Sequence, residues 1–144
     1  MAHKYWLFKT EPSTYSFKQL EKDKKTNWNG VRNFQARNFL RQVAVGDLAL
    51  IYHSGDDKSV VGVAQVLRAG YPDLDPEKPG DWVQIDLGYK ESFLRPVSLK
   101  EIKATTGLKE LPLIKQSRLS CMPVTAADFK LLSKLGHTRP AGNP

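Results

Sequence analysis

The chain has 144 residues, with 22 Lys and Arg against 15 Asp and Glu, a net charge of +7 and a pI near 9.5. That length suits one domain, able to bury roughly 70% of the surface it exposes when unfolded, and the charge favours polyanionic partners. The single cysteine, Cys121, excludes an internal disulfide, and with only three histidines beside it the chain offers a poor donor set for a Cys/His zinc site.

In chain order, Tyr5 to Lys9 reads as a short apolar strand, and Pro12 turns the chain out of it. Ser16-Phe17-Lys18-Gln19 has the form of a capping box, with Phe17 and Leu20 on one face of a short helix that Lys22 to Lys25 ends in solvent. From Asn33 to Val43 the apolar residues Ala36, Phe39, Leu40 and Val43 recur at helical spacing, and Asn33, Arg37 and Arg41 line the flank beside them. Gly46-Asp47 makes a turn into Leu48 to His53, which is apolar on both faces and suits a central strand. Val60 to Arg68 is a second such strand, with Gly62 as a bulge or a point of close approach. Trp82 to Tyr89 alternates as a half-exposed strand does. Ser98 to Glu101 repeats the capping-box pattern before Ile102. Thr125 opens a last helix through Phe129 and Leu132 that Gly136 can terminate. Short helices among strands of mixed length indicate one α+β domain built on a curved sheet or partly closed barrel.

Charge is unevenly distributed. Between Tyr71 and Glu91 six acids face two bases, a local balance of −4 that leaves +11 on the remainder. A polyanion is therefore expected to approach the rest of the molecule and avoid this hairpin. Apolar residues at 40% and charged residues at 26% are ordinary globular usage, so the surplus sits on a folded surface. No apolar stretch approaches the roughly 20 residues of a membrane span, and the run near Tyr5 is too short for a secretory core. The expectation is a soluble, cytoplasmic or otherwise intracellular protein with no membrane partner, favoured as a monomer.

Catalytic signatures are missing from the sequence: no phosphate-binding Gly-x-x-x-x-Gly-Lys, no Gly-x-Gly-x-x-Gly, no His-Glu-x-x-His and no Gly-x-Ser-x-Gly. His53 beside Ser54 does not make a base and nucleophile, because neighbouring side chains at a strand end diverge. Polar and aromatic residues gather instead at element ends. Lys9, Thr10 and Glu11 follow the first strand; Trp28, Asn29 and Asn33 precede or open the second helix; Tyr52, His53 and Ser54 end a central strand. Gln116, Ser117, Arg118, Leu119 and Ser120 fall in a late loop. At the mouth of a barrel these groups would receive a planar hydrogen-bonding ligand, with Trp28 stacking on a nucleobase for about 1 to 3 kcal/mol. Each has a structural alternative: Trp28 as core, Asn33 as a helix cap, His53 as a satisfied half-buried histidine, Arg37 and Arg118 as solvated charges.

These residues carry a resemblance to the EVE-domain family. The matching segments are Trp6 to Pro12, Trp28 to Asn38, Gly46-Asp47 through Ser54, Val61 to Ala64, and Gln116 to Ser120, together spanning about residues 3 to 135. The resemblance implies a single PUA-like domain over residues 1–138, a curved β pseudo-barrel of about five to six strands with peripheral helices, followed by a flexible tail at 139–144. It also implies kinship with YTH domains, which hold a methylated adenine in an aromatic cage. On that similarity Trp28 is a cage wall, with Lys9, Thr10, Glu11, Asn29 and Asn33 along the pocket. Tyr52, His53 and Ser54 lie opposite, and the loop from Gln116 through Ser117, Arg118 and Leu119 to Ser120 closes it. The additional tryptophans of the YTH cage have no clear counterpart, so methyladenine specificity does not transfer. The expected function is non-catalytic binding of DNA or RNA through a modified base, with Arg32, Arg37 and Arg41 on phosphates and no cofactor or metal. The alternatives are an enzyme on a nucleotide-like substrate using His53 as acid or base, and a protein-interaction domain.

Overall fold

Five capping and turn signals set the element boundaries in the computed structural model, which describes residues 4–74, 79–116 and 118–137. The expected 139–144 tail lies outside the described residues. Ser16 Oγ accepts from Gln19 N at 3.0 Å and opens α1 (Phe17–Asp23). Asn33 Oδ1 accepts from Ala36 N at 2.9 Å and opens α2 (Phe34–Leu40). Ser98 Oγ accepts from Glu101 N at 3.1 Å before α3 (Leu99–Ala104), and Thr125 Oγ1 accepts from Asp128 N at 3.1 Å before α5 (Ala126–His137). The short α4 (Pro112–Lys115) starts on a proline, whose missing N–H has no partner to lose at a first turn.

The capping boxes are only half formed. Gln19 sends its amide forward to Asp23 and Glu101 its carboxylate to Arg95, so neither returns to the capping residue. Lys22 to Lys25 are exposed and α1 ends among them, as expected, but Lys24 turns at φ 70° and the chain enters a strand the sequence did not signal, β2 (Lys25–Trp28). One further expectation is corrected. Gly136 does not end the last helix. It lies within α5, where a Cβ would stand 2.2 Å from the Phe93 ring, so its role is close packing.

Six strands form one mixed, unclosed sheet in the order β2-β5-β4-β3-β1-β6. The others are β1 (Tyr5–Thr10), β3 (Leu48–His53), β4 (Ser59–Pro72), β5 (Val83–Ser98) and β6 (Cys121–Val124). β1 pairs with β3 in parallel, Lys9 beside Tyr52 and Thr10 beside His53, and every other pairing is antiparallel. As the unbroken apolar sequence of β3 predicts, its residues from Ala49 to His53 are all buried. Gly62 marks a register shift between β4 and β5, and a Cβ there would meet Phe17 Cε2 at 2.3 Å, so it is both bulge and close approach.

Repeated shifts along the long β4–β5 ladder curl the sheet. Three strands separate β2 from β1 in the sheet, yet Trp28 on β2 stacks on Phe8 of β1 with centroids 5.8 Å apart. The fold is thus a pseudo-barrel with an open seam where the edge strand β2 faces β1. Asp47, read from the sequence only as part of a turn, is 2% exposed and ties the start of β1 to the turn before β3. Its carboxylate accepts from Lys4 N at 3.0 Å, Trp6 Nε1 at 2.9 Å and Ala44 N at 2.9 Å.

Candidate functional site

The seam holds a cavity of about 650 Å³, a volume in the usual range for small-molecule sites. One wall is the end of β1 and the turn after it: Lys9, Thr10, Glu11, Thr14 and Tyr15. The other is β2 and the segment leading to α2, Thr26 through Arg32, with Ser120 from the late loop at the edge. Of the residues expected from sequence, Lys9, Thr10, Glu11, Trp28, Asn29, Arg32 and Ser120 therefore meet around one opening.

Trp28 is half-buried, covered on one side by the fully buried Phe8, and it lines the cavity. Asn29 is exposed and its amide has no hydrogen-bond partner among the described residues, which leaves a donor and an acceptor for a ligand edge. Lys9 lies with its Nζ 5.8 Å from the centroid of the Tyr52 ring, and burial pushes its ammonium pKa down. The Thr10 hydroxyl donates to Tyr15 O at 2.7 Å and the Tyr15 hydroxyl to Asp23 at 2.8 Å, fixing the turn at the cavity rim. Glu11 is held by Ser13 N and Oγ.

The segment facing Trp28 is held from outside by Asp73. Its Oδ2 accepts from Gly30 N and from Arg32 Nη1, both at 2.9 Å, and the Arg32 guanidinium keeps the Asp73 carboxyl below its ordinary pKa. Asp81 likewise accepts from Arg37 at 2.8 Å and from Arg41 at 2.5 Å. All three arginines expected on phosphates are thus ion-paired with the acidic hairpin. The expected spatial separation of acidic and basic surfaces does not hold, because Asp73 and Asp81 lie against Arg32, Arg37 and Arg41.

Other expected residues sit outside the opening. Asn33 spends its side-chain oxygen on capping α2. Tyr52 is 4% exposed behind Lys9, and burial raises its phenol pKa. His53 accepts from Phe17 N at 3.0 Å through Nε2, joining β3 to α1, and contacts Asp57 in the β3–β4 turn through Nδ1 at 3.2 Å, so both ring nitrogens are engaged. Ser54 continues from β3 with its N–H bonded to Thr10 O. Leu119 is buried, while Gln116 and Arg118 border a separate depression of about 340 Å³ with Asn33, Gln35 and Lys115. Ser117 lies outside the described residues. Thr14, Tyr15, Thr26, Asn27, Gly30 and Val31 line the cavity without having been singled out; β2, which supplies three of the cavity positions, was not recognised as a strand.

Among the described residues no cluster of His, Cys, Asp or Glu could hold a metal ion, and no helix is long and apolar enough to cross a membrane.

Comparison with known proteins matches residues 4–135 to the family described as the EVE domain. Thymocyte nuclear protein 1 of Mus musculus is 32% identical over 95% of this chain and 75% of its own length. A hypothetical protein from Leishmania major has a structure that superimposes with a TM-score of 0.88 at 34% identity, covering 94% of this chain and 95% of that one. The human THYN1 protein, crystallised in complex with DNA containing 5-methylcytosine, superimposes with a TM-score of 0.86 at 30% identity over 95% of this chain and 99% of its own.

Proposed function

This chain belongs to the EVE-domain family, and from that premise we propose that it binds nucleic acid without catalysis by drawing one modified base into the seam cavity. The observation that carries this reading is Trp28, backed by Phe8 on one side and lining an opening that Asn29 also lines, its amide without a hydrogen-bond partner among the described residues. A flat heteroaromatic ring is the ligand that uses both: its face stacks on indole while its edge meets the amide. The cavity is large enough for a base and part of its sugar. The human relative's complex with DNA containing 5-methylcytosine supports DNA as the first partner to test.

Taking a base from a duplex costs a few kcal/mol, so a single-stranded or weakened site binds more readily. The cavity selects the base, and cationic side chains on the surrounding surface add affinity through phosphates. The reading is tested with short DNA strands carrying 5-methylcytosine, titrated against wild type, Trp28→Ala and Trp28→Leu. The leucine keeps apolar cover over Phe8 but removes the flat face. Both variants are expected to bind roughly 5- to 150-fold more weakly, the equivalent of about 1 to 3 kcal/mol of lost stacking. Affinity unchanged in both removes Trp28 from the site.

A further inference from the structure

A second aromatic feature stands beside the cavity. Phe34, three residues beyond the cavity-lining Val31, is 65% exposed, although apolar rings of this size are normally covered. It does not dangle. One side stacks on Trp82, with centroids 5.2 Å apart and planes 23° from parallel. The Arg37 guanidinium lies 5.0 Å from the Phe34 ring and 5.4 Å from the Trp82 ring, and the Arg32 guanidinium lies 5.3 Å from Trp82. Asp73 and Asp81 hold these two arginines in place, and the Asn33 cap fixes the backbone at Phe34. The result is a pair of stacked rings flanked by two guanidinium groups, with Phe34 the member most open to solvent.

We infer that Phe34 is a stacking platform for the base adjacent to the one in the cavity, an inference that rests on the proposed base-binding role of Trp28. Three observations favour a nucleobase as the occupant. The platform continues directly from the cavity wall along residues 31 to 34, as a neighbouring nucleotide would. The exposed face belongs to a flat ring held within 23° of the ring behind it, so a third ring adds to a pre-ordered surface and little entropy is lost. The ring is bordered by the charged Arg37–Asp81 pair, which stays solvated beside a polar nucleotide but would be desolvated under an apolar protein partner. A base–aromatic contact of this kind is indifferent to base identity, so Phe34 contributes affinity and register while the cavity contributes selection.

The test compares wild type, Phe34→Ala and Phe34→Trp with two probes, free 5-methyldeoxycytidine and a trinucleotide with 5-methylcytosine in the centre. Phe34→Ala is expected to weaken trinucleotide binding on the order of tenfold while leaving nucleoside binding within about twofold, and Phe34→Trp is expected to preserve both. Abasic residues placed in turn on the two sides of the modified base give an independent measure. At one position the abasic change weakens binding to wild type but not to Phe34→Ala. Trinucleotide affinity unchanged in Phe34→Ala overturns the platform and leaves the cavity reading standing. Equal loss for nucleoside and trinucleotide assigns Phe34 to folding of the cavity wall and also overturns it. Wild type that binds neither probe overturns both readings.

Discussion

Asp47 shows how much of this fold can depend on one side chain. Its carboxylate is buried and accepts three hydrogen bonds, one from the Trp6 indole, and no sequence pattern marks it. Replacing Asp47 with alanine leaves those buried donors without an acceptor, at a cost of about 3 kcal/mol. The expected drop in thermal midpoint is roughly 6 to 12 °C; a change of only a degree or two would mean that water replaces the carboxylate. His53 is the contrasting case. It resembles a catalytic base in sequence, yet both nitrogens are engaged at a structural junction, so His53→Ala is expected to cost about 1 to 3 kcal/mol of stability while nucleoside affinity stays within twofold. Much of the candidate site was legible at this scale: Lys9 to Glu11, Trp28, Asn29 and Ser120 were selected for their types at element ends, and they do converge. Asn33 and Tyr52 were selected on the same ground, but whether a polar group faces an opening or the core depends on the curl of the sheet, which no local pattern records.

At the scale of elements, helix starts were legible because Ser, Asn and Thr caps act within four residues. Strand β3 and the first half of β4 were legible because burial on both faces writes a largely apolar run, whereas the exposed second half of β4, which extends to Pro72, carries no such mark. The edge strands β2 and β6 are only four residues each and acquire their partners from distant sequence, so their composition carries no period long enough to read. Gly136 illustrates the same limit. Its position near the chain's last helical turns fits a stop signal, but Phe93 on β5 occupies the space where a side chain would project. Alanine is the better helix former by about 1 kcal/mol, while overpacking against an aromatic ring costs about 1 to 3 kcal/mol. Gly136→Ala is therefore expected to lower stability, and pairing it with Phe93→Leu to recover part of the loss. Denaturant titration of the single and double variants checks this; a stabilised Gly136→Ala would show that Phe93 moves aside freely.

Over the whole molecule, the acidic hairpin acts on the basic surface at close range. Asp81 is largely exposed and bridges two arginines, so neutralising it has little effect on folding, as expected of surface pairs, but releases Arg37 and Arg41 for phosphates. Asp81→Asn is expected to tighten oligonucleotide binding and to steepen its dependence on log salt by about 0.7 to 0.9 per phosphate gained. An unchanged slope would show that these arginines never meet the strand. Asp73 gives a pH dependence. Because Arg32 depresses its pKa in the folded state, its contribution is complete at neutral pH and above the ordinary aspartate range. It is lost as pH falls through the depressed value, releasing the Gly30 amide and the cavity wall. Asp73→Asn should flatten the acid limb of the stability profile, which thermal denaturation across a pH series will reveal; an unaltered limb would place the acid sensitivity elsewhere.

The placement of β1 between β3 and β6 also orders events in time. β1 is synthesised before either of its sheet neighbours, Leu48 to His53 on one flank and Cys121 to Val124 on the other. A nascent chain can thus complete the β3–β4–β5 meander while β1 waits. The cavity wall is complete only once Ser120 and the strand after it have been made.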